Sequence, residues 1–161
     1  MSLYKDRLDF SFFFGLMPLE AVNRFVFGNS KYSAEDVIAR LEVKYCGEEI
    51  LRETQKMLIE EVLKPILRDW ANEDCGNGNT LLSRFVKFCT GKSYLPHPSQ
   101  TKTKIMVEFE GEELLSKDAF PKAHTCENML GLPEQAYDAN RETFESKLRE
   151  SVKYCDVFSM H

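Results

Sequence analysis

The chain has 161 residues, of which 43% are hydrophobic, 12% aromatic and 29% charged, a composition that excludes wholesale disorder and lets a domain of this size bury roughly 70% of its unfolded surface without metal or disulfide staples. The net charge of -5, from 21 basic and 26 acidic residues, argues against a nucleic-acid partner and for a protein one. The longest apolar stretch near the start, Phe12 to Met17, is too short to span a bilayer, and the mixed charges Lys5, Asp6, Arg7 and Asp9 do not read as a signal peptide, so a cytoplasmic or nuclear setting without membrane contact is expected.

In chain order, the first forty-odd residues read as helical. Leu19, Val22, Phe25 and Val26 stand at helical spacing after Pro18, and Gly28-Asn29 supplies a stop. Ser33 is positioned to cap a second short helix, with Glu35 and Asp36 in its first turn and Val37, Ile38 and Leu41 on one face. Residues 1–44 carry six basic and six acidic side chains, so the acidic surplus belongs to the remainder. A long amphipathic helix is expected from about Gly47 to Trp70, with Leu58, Val62 and Ile66 on one row and Ile59, Leu63 and Leu67 on the next. Pro65 lacks a backbone donor, which predicts a kink or break near Lys64.

Residues 72–79 read as a loop, Thr80 as the cap of another helix with Leu81, Leu82, Phe85, Val86 and Cys89 as its apolar stripe, and Gly91 as its end. The period then changes to two: Ile105, Val107 and Phe109 alternate with Lys104, Glu108 and Glu110, which is a half-buried strand. The acidic run Glu108, Glu110, Glu112 and Glu113 reads as a solvated edge and loop. Residues 120–133 have no helical period and read as entering and leaving a sheet around a tight loop. A final helix, with Asp138 as its expected cap and Phe144, Leu148 and Val152 on its buried face, leads to a short tail.

Five cysteines, Cys46, Cys75, Cys89, Cys126 and Cys155, are spaced without a framework pattern, and neither a Cys-x-x-Cys nor a His-x-x-x-His occurs among them and His97, His124 and His161. Disulfides and structural zinc are therefore not expected. Cys89 sits on an apolar helical face, whereas Cys126 is flanked by His124, Thr125, Glu127 and Asn128, polar groups costly to bury together. An exposed cysteine with a histidine two residues away is a candidate nucleophile, because the thiolate fraction is intrinsically reactive.

The run Phe120-Pro121-Lys122-Ala123-His124-Thr125-Cys126-Glu127-Asn128-Met129-Leu130-Gly131-Leu132-Pro133 resembles the active-site signature of HECT-type ubiquitin-protein ligases, in which Pro-x-Ala-His-Thr-Cys-Phe-Asn-x-Leu-x-Leu-Pro surrounds a thioester-forming cysteine. Phe85 to Pro96, with Thr90-Gly91 and Leu95-Pro96, is similar to an earlier stretch of the same family, and Phe158 stands fourth from the C-terminus, where the family commonly has an aromatic residue. Glu127 departs from the pattern, standing where the family usually has phenylalanine.

The resemblance implies an α+β fold, a small mixed sheet with flanking helices like the HECT C-lobe over residues 45–161, preceded by a helical segment, residues 1–44, that resembles the end of the N-lobe. It implies Cys126 as the thioester nucleophile, with His124, Thr125 and Asn128 in support and Phe158 as the tail aromatic, no metal and no organic cofactor. Implied partners are ubiquitin, a ubiquitin-conjugating enzyme bound through an N-lobe that this chain is too short to hold, and protein substrates. The lobe is expected to swing about a hinge near Glu42 to Glu49. His124 could assist the thiolate or fix the loop by a backbone hydrogen bond, and Thr125 and Asn128 could shape the turn or touch the transition state. A non-catalytic ubiquitin-binding or scaffold domain derived from the same fold is the alternative, in which Glu127 reports lost selection, and a cysteine hydrolase is a third.

Overall fold

A computed structural model describes residues 32–76, 78–95, 104–111 and 119–154. The helix expected over Leu19–Phe27, and Cys155, His97, Phe158 and His161, lie outside the described residues. Ser33 opens α1 (Ala34–Ile38) with a reciprocal capping box: its hydroxyl accepts from the Asp36 N–H while the Asp36 carboxylate accepts from the Ser33 N–H. The expected face including Leu41 is not helical. The helix stops at Ile38, and β1 (Leu41–Lys44) follows, its Leu41 and Val43 half-buried and its Glu42 and Lys44 exposed. Four residues are too few for the two periods to be told apart from sequence, and pairing with a distant strand decides the outcome.

The next twenty-two residues are helical throughout: α2 (Glu49–Met57), a π-helical segment (Leu58–Leu63) and α3 (Lys64–Trp70). The break expected near Lys64 does not occur. The hydrogen-bond register widens in the turn before Pro65, where the Lys64 N–H donates to the Ile59 carbonyl five residues back, and the proline sits just after that switch. The loop expected over residues 72–79 contains a small antiparallel pair, β2 (Asp74–Gly76) with β3 (Asn79–Thr80). Thr80 then caps α4 (Leu81–Thr90) through a capping box with Ser83, and Gly91 terminates it in the left-handed conformation at φ 78°, which a side chain rarely adopts.

Strand β4 (Ile105–Glu110) returns parallel to β1, with Val43 opposite Val107. β6 (Met129–Pro133) lies parallel on its other side, and β5 (Lys122–His124) pairs antiparallel with β6, giving a mixed four-stranded sheet in the order β1-β4-β6-β5. The fold is α+β. Ile105, Val107 and Phe109 of β4 and Leu130 and Leu132 of β6 are buried on one face, in the same core as Leu63, Trp70, Phe85, Phe144 and Leu148 from the helices. Residues 32–44, the described part of the first expected segment, pack into this same body: β1 is in the sheet, and the Tyr32 hydroxyl donates to the Ser93 carbonyl at 3.0 Å. The stretch expected to act as a hinge, Glu42 to Glu49, is correspondingly anchored, by the sheet and by the Cys46 N–H donating to buried Gln55 at 3.0 Å.

The other face of the sheet is polar. The Lys44 ammonium lies 2.8 Å from Glu108, its neighbour across the strands, and Lys104 lies 2.8 Å from Glu42. The acidic pair Glu108 and Glu110 thus belongs to a central strand, half-buried, rather than to a solvated edge. Alternation along β4 does not reveal which strands flank it, and that decides edge or centre. The last helix, α5 (Arg141–Lys153), is capped by Asn140, whose side chain accepts from the Thr143 N–H. The expected cap, Asp138, sits instead in a tight turn (Ala136–Ala139) whose four residues all have φ near +50°, two residues before the one that caps the helix.

Candidate functional site

β5 and β6 form a hairpin whose connection is Thr125 to Asn128. The first three residues make one 3-10 turn, and Asn128 closes it at φ 50°, ψ 49°, with its N–H donating to the Thr125 carbonyl at 3.3 Å. Asparagine is among the few residues other than glycine that enter this region at modest cost. The Asn128 carbonyl in turn accepts from the Met106 N–H at 2.8 Å, tying the connection to β4. A rigid hairpin therefore presents the turn, and Asn128 shapes it through its backbone.

Cys126 is the middle residue of that turn and is exposed. The other described cysteines differ: Cys89 is fully buried in the core, and Cys46 and Cys75 are half-buried. Burial pushes the Cys75 thiol up, with the nearby Arg84 opposing part of that effect. All four described cysteines are free thiols. Among the described residues, no three His, Cys, Asp or Glu side chains are grouped to hold a metal ion, and no helix is long and apolar enough to cross a membrane.

Thr125 faces the end of α4. A β-carbon placed on Gly91 would lie 3.5 Å from that of Thr125, so the αL glycine that ends the helix also leaves the turn room to approach it. Beside it opens a groove of about 780 Å³ between α4, α5 and the start of β5, with Phe88, Phe120, Pro121, Ala123 and Tyr154 on its walls. Phe120 and Tyr154 are exposed aromatics, and the Lys147 ammonium lies 4.5 Å from the centre of the Phe120 ring.

His124 is the last residue of β5, on the polar face of the sheet. Its Nε2 lies 3.4 Å from Oε1 of Glu110, two strands away. Glu127 is exposed on the same turn as Cys126. The structure thus gathers His124, Thr125, Cys126 and Asn128 at one hairpin end, whereas Phe158 lies outside the described residues. Glu110 escapes sequence reasoning, although Gly131 in the middle of a strand was a signal that something approaches closely there.

The family model of the HECT domain, described as a ubiquitin transferase, matches residues 22–161. The chain belongs to the HECT family. A search of the curated proteins finds none that matches it. The HECT match begins upstream of α1 and spans β1 as well as the Cys126 hairpin. It assigns the chain to the ubiquitin transferases in general, whose partners as a class are ubiquitin, a conjugating enzyme and substrate proteins. The α+β architecture, with a small mixed sheet under helices, agrees with a HECT C-lobe-like fold.

Proposed function

We propose that this chain is the ubiquitin-accepting lobe of a HECT-type ligase and that Cys126 carries ubiquitin as a thioester between a conjugating enzyme and a substrate lysine. The observation that carries the reading is the position of Cys126: an exposed thiol at the end of a hydrogen-bonded hairpin, inside a chain matched to the HECT domain over residues 22–161. In the first step the Cys126 thiolate attacks the thioester carbonyl, a new C–S bond forms, and the donor's cysteine leaves as thiolate. The exchange of one thioester for another is nearly thermoneutral and suits a cysteine. In the second step a neutral lysine amine attacks the same carbonyl, the C–N bond forms, the C–S bond breaks, and the proton lost by nitrogen ends on Cys126. Placement of two macromolecular thioesters is the main demand, and it can contribute on the order of 7 kcal/mol to lowering the barrier.

His124 is the imidazole two residues before the thiol, and Thr125 and Asn128 hold the turn that presents it. Phe158 is proposed, from its place near the C-terminus, to help orient the loaded lobe. Ubiquitin and substrate engage this lobe, and the conjugating enzyme is delivered by an N-lobe, in the cytoplasm or nucleus, where free thiols persist. A reducible ubiquitin adduct that disappears in Cys126→Ala tests the assignment. One observation favours a second reading, a ubiquitin-binding scaffold: Glu127 occupies an exposed position beside the thiol where the family usually carries phenylalanine. If Glu127→Phe gives no gain in charging or discharge, the scaffold reading is favoured.

A further inference from the structure

Glu110 stands on a central strand yet its carboxylate is turned along the sheet, over the neighbouring strand, toward His124 on the strand beyond. Its own cross-strand partner is Pro133, and its carbonyl accepts from the Glu134 N–H at 3.1 Å, so its backbone is fixed. Between Glu110 and His124 lies Gly131. A β-carbon at Gly131 would stand 2.6 Å from Oε1, 2.8 Å from Cδ and 3.2 Å from Oε2 of Glu110, and these are its three closest approaches. The carboxylate therefore occupies the space that any side chain at position 131 would fill. Among the neighbouring charges on this face, Glu108 is engaged by Lys44 and Lys122 stands two residues before His124 on β5.

We propose that Glu110 is a positioning residue for His124, admitted by the missing side chain of Gly131, and that it holds the neutral imidazole as the Nε2–H tautomer with Nδ1 unprotonated. The Nε2 atom faces a carboxylate, which only accepts, so Nε2 carries the proton and the lone pair remains on Nδ1. The inference rests on the thioester reading of Cys126. In the discharge step the attacking amine forms its C–N bond to the ubiquitin carbonyl, gives its surplus proton to Nδ1, and the C–S bond breaks. The imidazolium then returns that proton to the Cys126 thiolate, leaving amide, free thiol and neutral His124. Glu110 touches none of the reacting atoms and acts by keeping one nitrogen of His124 available.

Two variants remove the contact independently. Glu110→Gln replaces the acceptor-only group by one that can also donate, and Gly131→Ala pushes the flexible end of Glu110 aside without altering its charge. The imidazole nitrogen shifts of His124, recorded above neutral pH in this chain with only three histidines, are expected to report the Nε2–H form in the parent and a mixture in both variants, with Glu108→Gln unchanged. In single-turnover assays of the full ligase, both variants are expected to slow discharge to lysine about fivefold while charging of Cys126 changes less than twofold. Tautomers unchanged in both variants overturn the inference whatever Cys126 does. A changed tautomer with undiminished discharge overturns it while leaving the thioester reading intact, and a parent that never charges at Cys126 removes both.

Discussion

At Asn128 the backbone makes a turn that most side chains resist, and the Cys126 loop depends on it. Asn128→Gly is expected to leave thermal stability within a few tenths of a kcal/mol, whereas Asn128→Ala, forced to φ 50°, costs about 1 kcal/mol, read as a lowered denaturant midpoint. A transition-state contact by the amide side chain would abolish that ranking in activity, with Gly as damaging as Ala. Cys126 was legible in sequence because its neighbours are all polar, and Cys89 was legible as core from its helical stripe. Glu110 was not, since the chain places it fourteen residues before His124 and only the β4-β6-β5 order brings the two within 3.4 Å.

Elements with strong local signals formed where the residues indicated: the capping boxes of Ser33 and Thr80, the glycine stop at Gly91 and the alternation of β4 are all present. Those set by distant partners did not. Leu41–Lys44 becomes a strand through pairing with β4 sixty-odd residues on, and the turn at Ala136–Ala139 moves the cap of α5 from Asp138 to Asn140. Pro65 signalled a defect whose form, a widened helical turn rather than a break, depends on packing. Gln55 marks the same contrast. It is fully buried, its side-chain oxygen accepts from the Cys46 N–H and its side-chain nitrogen donates to the Glu134 carbonyl, each at 3.0 Å. Gln55→Leu strands both backbone groups and is expected to lower unfolding free energy by about 2 kcal/mol in urea titrations, while Thr80→Ala costs about 1 kcal/mol.

For the whole molecule, the sheet joins residues 34–44 to the Cys126 hairpin, so rigid-body movement of the lobe carries both together. Stability of that body also has a defined alkaline limit. Burial holds the phenols of Tyr32 and Tyr137 well above their usual range. Their contribution is whole below the unfolded phenol value near 10 and is lost as the pH rises past it, because only the unfolded chain then ionises freely. Circular dichroism from pH 9 upward should show stability falling with pH, and less steeply in Tyr137→Phe, which keeps one of the two phenols. The proposed function rests at this scale on one bond, the thioester to Cys126. The full ligase, incubated with loaded conjugating enzyme and resolved without reductant, should carry a ubiquitin adduct that thiol reagents release and that Cys126→Ala eliminates; an adduct of equal yield in Cys126→Ala would contradict the account.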